Sequence, residues 1–109
     1  MEISDIGVPG LSLAVIEGRL DTITAPALEE RLLGLIAASR VVLDMAAVRF
    51  VSSAGLRVLL KAAKAAKAAG TGFAVCALQP SVREVYDISG FERIITAHPT
   101  RDEAVAAFR

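Results

Sequence analysis

Val41, Val42 and Leu43, a short apolar run that stops at Asp44, constrain the fold of this chain more than any other feature. A half-exposed strand alternates apolar and polar residues, whereas a strand covered on both faces reads as a continuous apolar run. Such a strand needs a layer on each side, and the neighbouring segments supply helices. From Thr24 to Ala38 the pattern turns helical, with Leu28, Leu32, Leu35 and Ile36 on one face and Glu29, Glu30 and Arg31 turned away. Thr24 ahead of Pro26 suits the start of that helix. After a connection through Phe50 and Val51, Ser52 and Ser53 precede a longer helix with an expected core stripe of Leu56, Leu59, Leu60, Ala63 and Ala66, closed by Gly70.

The flanks complete the pattern. Glu2 to Ile6 and Leu11 to Glu17 read as strands joined by the reversal Gly7, Val8, Pro9, Gly10. Phe73 to Leu78 reads as another strand, Pro80 opens a helix that turns Val82, Val85 and Ile88 inward until Gly90, and Ile94 to Ala97 reads as a last short strand. Thr100 followed by Glu103 forms a capping box ahead of a closing helix. Strands that alternate with helices pair in parallel through right-handed crossovers. The expectation is one domain over residues 1–109 of the α/β class. It has a mixed, mainly parallel sheet of four to five strands, an antiparallel N-terminal edge hairpin and about four helices. If successive strands add in one direction, the crossover helices share a face, and the other face needs a less regular cover or a partner.

Charge and composition exclude several functions. Twelve basic and twelve acidic residues cancel, so there is no electrostatic footprint for gripping nucleic acid. Apolar stretches such as Leu11 to Ile16 and Val58 to Leu60 are far short of the roughly 20 residues of a membrane span. Met1 to Gly10 lacks the apolar stretch of a secretory signal, and a cytoplasmic location is expected. The eight glycines form neither a Walker loop nor a GxGxxG fingerprint, so no nucleotide or other cofactor is expected. Cys76 sits in an apolar run and reads as a buried thiol; His98, the one histidine, has no second histidine with which to hold a metal. The acid pairs Glu29–Glu30 and Asp102–Glu103 are adjacent in helical segments and point in different directions. No nucleophile and base come together on the sequence, and a non-enzymatic domain is the reading.

What remains is the segment Phe50 to Leu56 and Asp21. Ser53 is expected at the N-cap, its hydroxyl near the unpaired amides of the first turn, with Gly55 removing bulk beside it. On the residues alone Ser53 is equally an ordinary cap, worth about 1 kcal/mol, or a hydroxyl at which added charge suits the helix dipole. Asp21 reads as the cap of a turn. Arg57, Lys61, Lys64 and Lys67 make a basic stripe, by default a solvated face and otherwise a docking surface for an acidic partner.

The combination Gly18-Arg19-Leu20-Asp21, Val41-Val42-Leu43-Asp44 and FVSSAGLRVLL from Phe50 to Leu60 resembles the STAS family of bacterial anti-sigma factor antagonists. The segment Ala77 to Gly90 continues the match with a strand, a proline-started helix and a closing Ser89-Gly90-Phe91. The resemblance implies a partner switch. The unmodified antagonist binds an anti-sigma factor that is also a serine kinase and so releases a sigma factor; phosphorylation reverses the binding and a serine phosphatase restores it. ATP would belong to the kinase. The resemblance places the phosphoacceptor on Ser53 and the aspartate of the Gly-x-Leu-Asp turn on Asp21, with Ser52 as a backup acceptor. The implied partner-binding set is Asp21, Ser52, Ser53, Ala54, Gly55, Arg57 and Lys61. Many relatives have aspartate where this chain has Ser52, and some have serine where it has Ala54. A constitutive STAS scaffold subunit of a signalling or lipid-transport assembly is the alternative that the resemblance allows.

Overall fold

The computed structural model describes residues 2–5 and 7–108. Its five strands and four helices follow in the order β1 (Glu2–Asp5), β2 (Leu11–Leu20), α1 (Ala25–Ala38), β3 (Arg40–Val51), α2 (Ser53–Ala69), β4 (Phe73–Cys76), α3 (Pro80–Ile88), β5 (Ala97–His98) and α4 (Arg101–Ala107). A single 3₁₀ turn, Phe91–Arg93, links α3 to β5. The sheet order is β1-β2-β3-β4-β5, with β1 antiparallel to β2 and all other pairs parallel. The α/β class, the edge hairpin and the mainly parallel sheet are therefore as expected. The expected end of the first strand, Ile6, lies outside the described residues.

Strand order equal to chain order puts the crossover helices on one face, as right-handed connections require. Alternation along β3 divides the core accordingly: Val41, Leu43 and Met45 pack with Leu28, Leu32, Ile36, Val58, Leu59 and Tyr86 under α1, α2 and α3. Val42, with Leu11, Leu13 and Cys76, points to the opposite face. That face is covered by the chain itself, through Ala104, Val105 and Phe108 on and after α4. Thr100 caps α4 by accepting from the Glu103 N–H at 3.1 Å. Arg101 in its first turn donates from Nε at 2.9 Å and Nη2 at 2.7 Å to Asp44 Oδ2, while Asp44 Oδ1 accepts from the Ala46 N–H at 2.9 Å. Asp44, the one buried charged side chain among the described residues, is thus fully partnered.

Several expectations are corrected. The apolar run does not end its strand at Asp44, because Arg101 satisfies that carboxylate and β3 continues to Val51. β4 stops at Cys76 rather than Leu78, with Ala77 in a left-handed conformation at φ 59°. The last strand is Ala97–His98, because the backbone is still turning at Ile94 and Ile95 as it leaves the 3₁₀ turn. In α3 the inward residues are Val82 and Tyr86, one turn apart, while Val85 and Ile88 are 39% and 80% exposed. The tyrosine wins because its hydroxyl donates to the Ile95 carbonyl and its ring packs at a tilt against Phe91, centroids 5.7 Å apart. The buried stripe of α2 is Gly55, Val58, Leu59, Ala62 and Ala66, so Leu56, Leu60 and Ala63 lie on its half-buried flank. Gly70 ends α2 as expected, at φ 71°.

Candidate functional site

Beyond Asp44 strand β4 has ended, and β3 continues in pairing with β2 alone, from Glu17↔Ala47 to Leu20↔Val51. This two-stranded extension carries the ends of β2 and β3 past the rest of the sheet. On its outer edge, Gln79 Nε2 donates to the Ala46 carbonyl at 2.8 Å. Two helices begin at its tip, α1 after a turn through Asp21 and α2 directly after Ser52. The Ser52 N–H donates to the Leu20 carbonyl at 2.8 Å, which ties the two starts together.

The α1 entrance is held by reciprocal bonds. Asp21 Oδ1 accepts from the N–H groups of Ile23 at 3.0 Å and Thr24 at 3.2 Å, while the Asp21 N–H donates to Thr24 Oγ1 at 2.9 Å. Thr24 Oγ1 donates in turn to the Arg19 carbonyl at 3.0 Å. Arg19 Nε lies 3.4 Å from Asp21 Oδ2, and its guanidinium stands 4.2 Å from the Phe50 ring centroid across the ribbon. The Thr24 N–H above all holds the Asp21 carboxyl below the usual carboxylate range; desolvation opposes it, and the Ile23 N–H and the Arg19 and Thr24 side chains add to the lowering. The turn that Asp21 fixes presents Ile23 with 88% of its surface exposed, and Phe50 beside it is 40% exposed.

At the α2 entrance the expected cap is displaced by one residue. Ser52, extended at φ −88° and ψ 175°, is the N-cap, and its Oγ accepts from the Gly55 N–H at 3.3 Å. Ser53 is the first helical residue; its side chain is exposed, and its hydroxyl makes no hydrogen bond among the described residues. The register decides between the two serines, because pairing with Leu20 keeps Ser52 extended and only an extended residue can cap. Gly55 has a clear reason: a Cβ there would lie 2.7 Å from Leu20 Cγ and 2.8 Å from the Leu20 carbonyl oxygen. The absence of a side chain lets α2 settle onto the end of β2.

The tip therefore brings together Asp21, Ser52, Ser53, Ala54 and Gly55. Arg57 lies one turn further along α2 and is exposed. It lines a groove of about 280 Å³ between α1 and α2, with Thr22, Pro26, Ala54 and Lys61. Lys61 spans that groove to Glu29 of α1 at 2.9 Å, so the basic stripe is not a uniform row of unpaired cations. Sequence reading missed three features here: the capping role of Ser52, the stacking of Arg19 on Phe50, and the exposed Ile23. The first two depend on the β2–β3 register, which sequence periodicity does not specify; an isoleucine between two threonines in a turn was a legible signal for the third.

Burial, and then the charge of Asp44, push the Cys76 thiol up to about 12, so it is not a thiolate at neutral pH. Among the described residues no group of three or more histidine, cysteine, aspartate or glutamate side chains is placed to hold a metal ion. No described helix is long and apolar enough to cross a membrane.

The family model of the STAS domain matches residues 3–104. BtrV of Bordetella bronchiseptica, described as an anti-sigma factor antagonist, is 38% identical over 104 residues, covering 94% of this chain and 90% of its own. The crystal structure of an anti-sigma factor antagonist from Mycobacterium paratuberculosis superposes with a TM-score of 0.87 at 33% identity, over 99% of this chain and 92% of that one. SpoIIAA, an anti-sigma factor antagonist and Bacillus cell fate determinant, shares the fold in its unphosphorylated form, with a TM-score of 0.80 at 18% identity over 95% of this chain and 91% of its own. Its phosphorylated form does so with a TM-score of 0.75 at 17% identity over 99% and 98%.

Proposed function

The chain belongs to the STAS domain family, and from that premise we propose that it is a cytoplasmic, single-domain anti-sigma factor antagonist. It captures a serine-kinase anti-sigma factor on the surface around Asp21 and Ser53, frees a sigma factor, and is switched off by phosphorylation of Ser53. It has no catalytic step of its own. The kinase supplies ATP; the γ-phosphoryl group passes to Ser53 Oγ, the hydroxyl proton is released and ADP leaves, and a serine phosphatase later returns the hydroxyl by hydrolysis. Asp21, Ser52, Ala54, Gly55, Arg57 and Lys61 complete the docking surface.

The observation that carries this reading is the division between two adjacent serines. Ser52 fills the cap, so the exposed Ser53 hydroxyl is left over for a visiting kinase. A phosphate on Ser53 adds about −1.5 to −2 charges at a helix start, where negative charge stabilises by roughly 0.3 to 1 kcal/mol. The fold tolerates it. Buried under a docked partner without a counter-charge, the same phosphate costs roughly 3 to 5 kcal/mol, a loss of binding by a factor of hundreds or more. Relatives described as anti-sigma factor antagonists, and SpoIIAA in its two phosphorylation forms, support the same direction.

The test is a pair of variants measured against the anti-sigma factor. Ser53→Asp should keep the wild-type melting temperature and lose binding, whereas Ser53→Ala should bind as wild type even after incubation with kinase and ATP. Wild-type affinity in both variants, with or without ATP, contradicts the reading.

A further inference from the structure

Resting on that reading of Ser53, we propose that Arg57 is the internal receiver of the phosphate: once Ser53 is phosphorylated, the Arg57 guanidinium folds back onto it and is withdrawn from the docking surface. Phosphorylation then changes the surface twice, by adding an anion at residue 53 and by removing a cation at residue 57.

Ser53 and Arg57 are four apart in α2, a spacing that places side chains on the same helix face with Cβ atoms about 5–6 Å apart. Both are exposed. Arg57 has no ion pair or hydrogen bond among the described residues, while the charged groups around it are committed. Lys61 holds Glu29 of α1 at 2.9 Å. On the β2–α1 turn, Arg19 is engaged by Asp21 at 3.4 Å and by the Phe50 ring, and Asp21 is saturated by the Ile23 and Thr24 amides. The first turn of α2 contains no acid that competes for Arg57. Lys64 and Lys67 are exposed but sit more than two turns further along the helix. A new anion at residue 53 therefore has an uncommitted cation one turn away on its own helix face. The order, anion N-terminal to cation, is the favourable one for a helix, and a planar guanidinium can meet phosphate oxygens with two parallel N–H bonds.

The experiment installs phosphoserine at residue 53 during translation, so that no kinase is involved, and follows the ³¹P shift against pH in wild type, Arg57→Gln and Arg57→Lys. The helix start and the Ser52 cap are common to all three and cancel in the comparison. The second ionisation of the phosphate should lie about 0.2 to 0.4 unit lower in wild type than in Arg57→Gln, with Arg57→Lys between them. Equal values in wild type and Arg57→Gln overturn the inference. Because the titration contains no partner, it fails separately from the switch. If phosphorylation abolishes partner binding but the titration is unmoved by Arg57→Gln, the switch stands and Arg57 has no part in it.

Discussion

The two helices that start at the tip of the β2–β3 ribbon use their first residues in opposite ways. In the turn into α1, Asp21, Thr24 and Arg19 are spent on structure: Asp21 accepts from two amides, Thr24 reciprocates to Asp21 and Arg19, and Arg19 lies over Phe50. At α2, a few ångströms away through the Ser52–Leu20 bond, one serine does the capping and the next is left over. A saturated turn is rigid and can position its neighbours. A side chain without internal partners is the one that chemistry from outside can alter without unfolding anything. On this comparison Asp21 is the frame and Ser53 the variable element, although both fall in the same expected docking set.

The sharpest way to break the contrast is to separate the two entrances. Gly55→Ala forces a Cβ against Leu20 Cγ at 2.7 Å and the Leu20 carbonyl at 2.8 Å, and should cost about 2–3 kcal/mol in urea unfolding. A loss near zero would mean that α2 is not seated on β2 as described. Next in size is the difference between adjacent serines. Ser52→Ala removes the cap and should cost about 1 kcal/mol, whereas Ser53→Ala should stay within about 0.5 kcal/mol of wild type. Equal losses would return Ser53 to the role of a cap.

The smallest effect is the pH dependence of the α1 turn. The folded state holds the Asp21 carboxyl below its usual range, so its contribution to stability is fully present above the unfolded value of about 3.9 and is lost as pH falls through the lower folded value. The stability difference between wild type and Asp21→Asn should therefore be constant above about pH 5 and shrink toward pH 3. A difference that grows on acidification has the wrong sign for this turn.

Much of this arrangement was legible in the sequence because local pattern and global fold agree. The buried run at Val41–Leu43, the helical period from Thr24, the Gly70 stop and the Thr100 cap each act within a few residues, and each is found. The departures at the strand ends, in α3 and at the α2 cap involve long-range partners. Asp44 reads as a strand end until Arg101, distant in the chain, neutralises it. Val85 and Ile88 read as core until Tyr86 finds the Ile95 carbonyl. Either Ser52 or Ser53 satisfies the local rules for a cap, and only the register of β3 against Leu20 decides between them. The same limit explains the site: the residue types and their order were visible, but which of them is occupied and which is left available depends on contacts between segments.

The most direct test compares the affinity of the anti-sigma factor for the unmodified chain and for the chain carrying phosphoserine at residue 53, by calorimetry on protein of matched melting temperature. A Kd raised by about a hundredfold or more on phosphorylation, with the melting temperature unchanged, is the expected result. Equal affinities, or a loss of affinity that tracks a loss of folding, would contradict the assignment of Ser53 as the element that switches the surface while the fold stays intact.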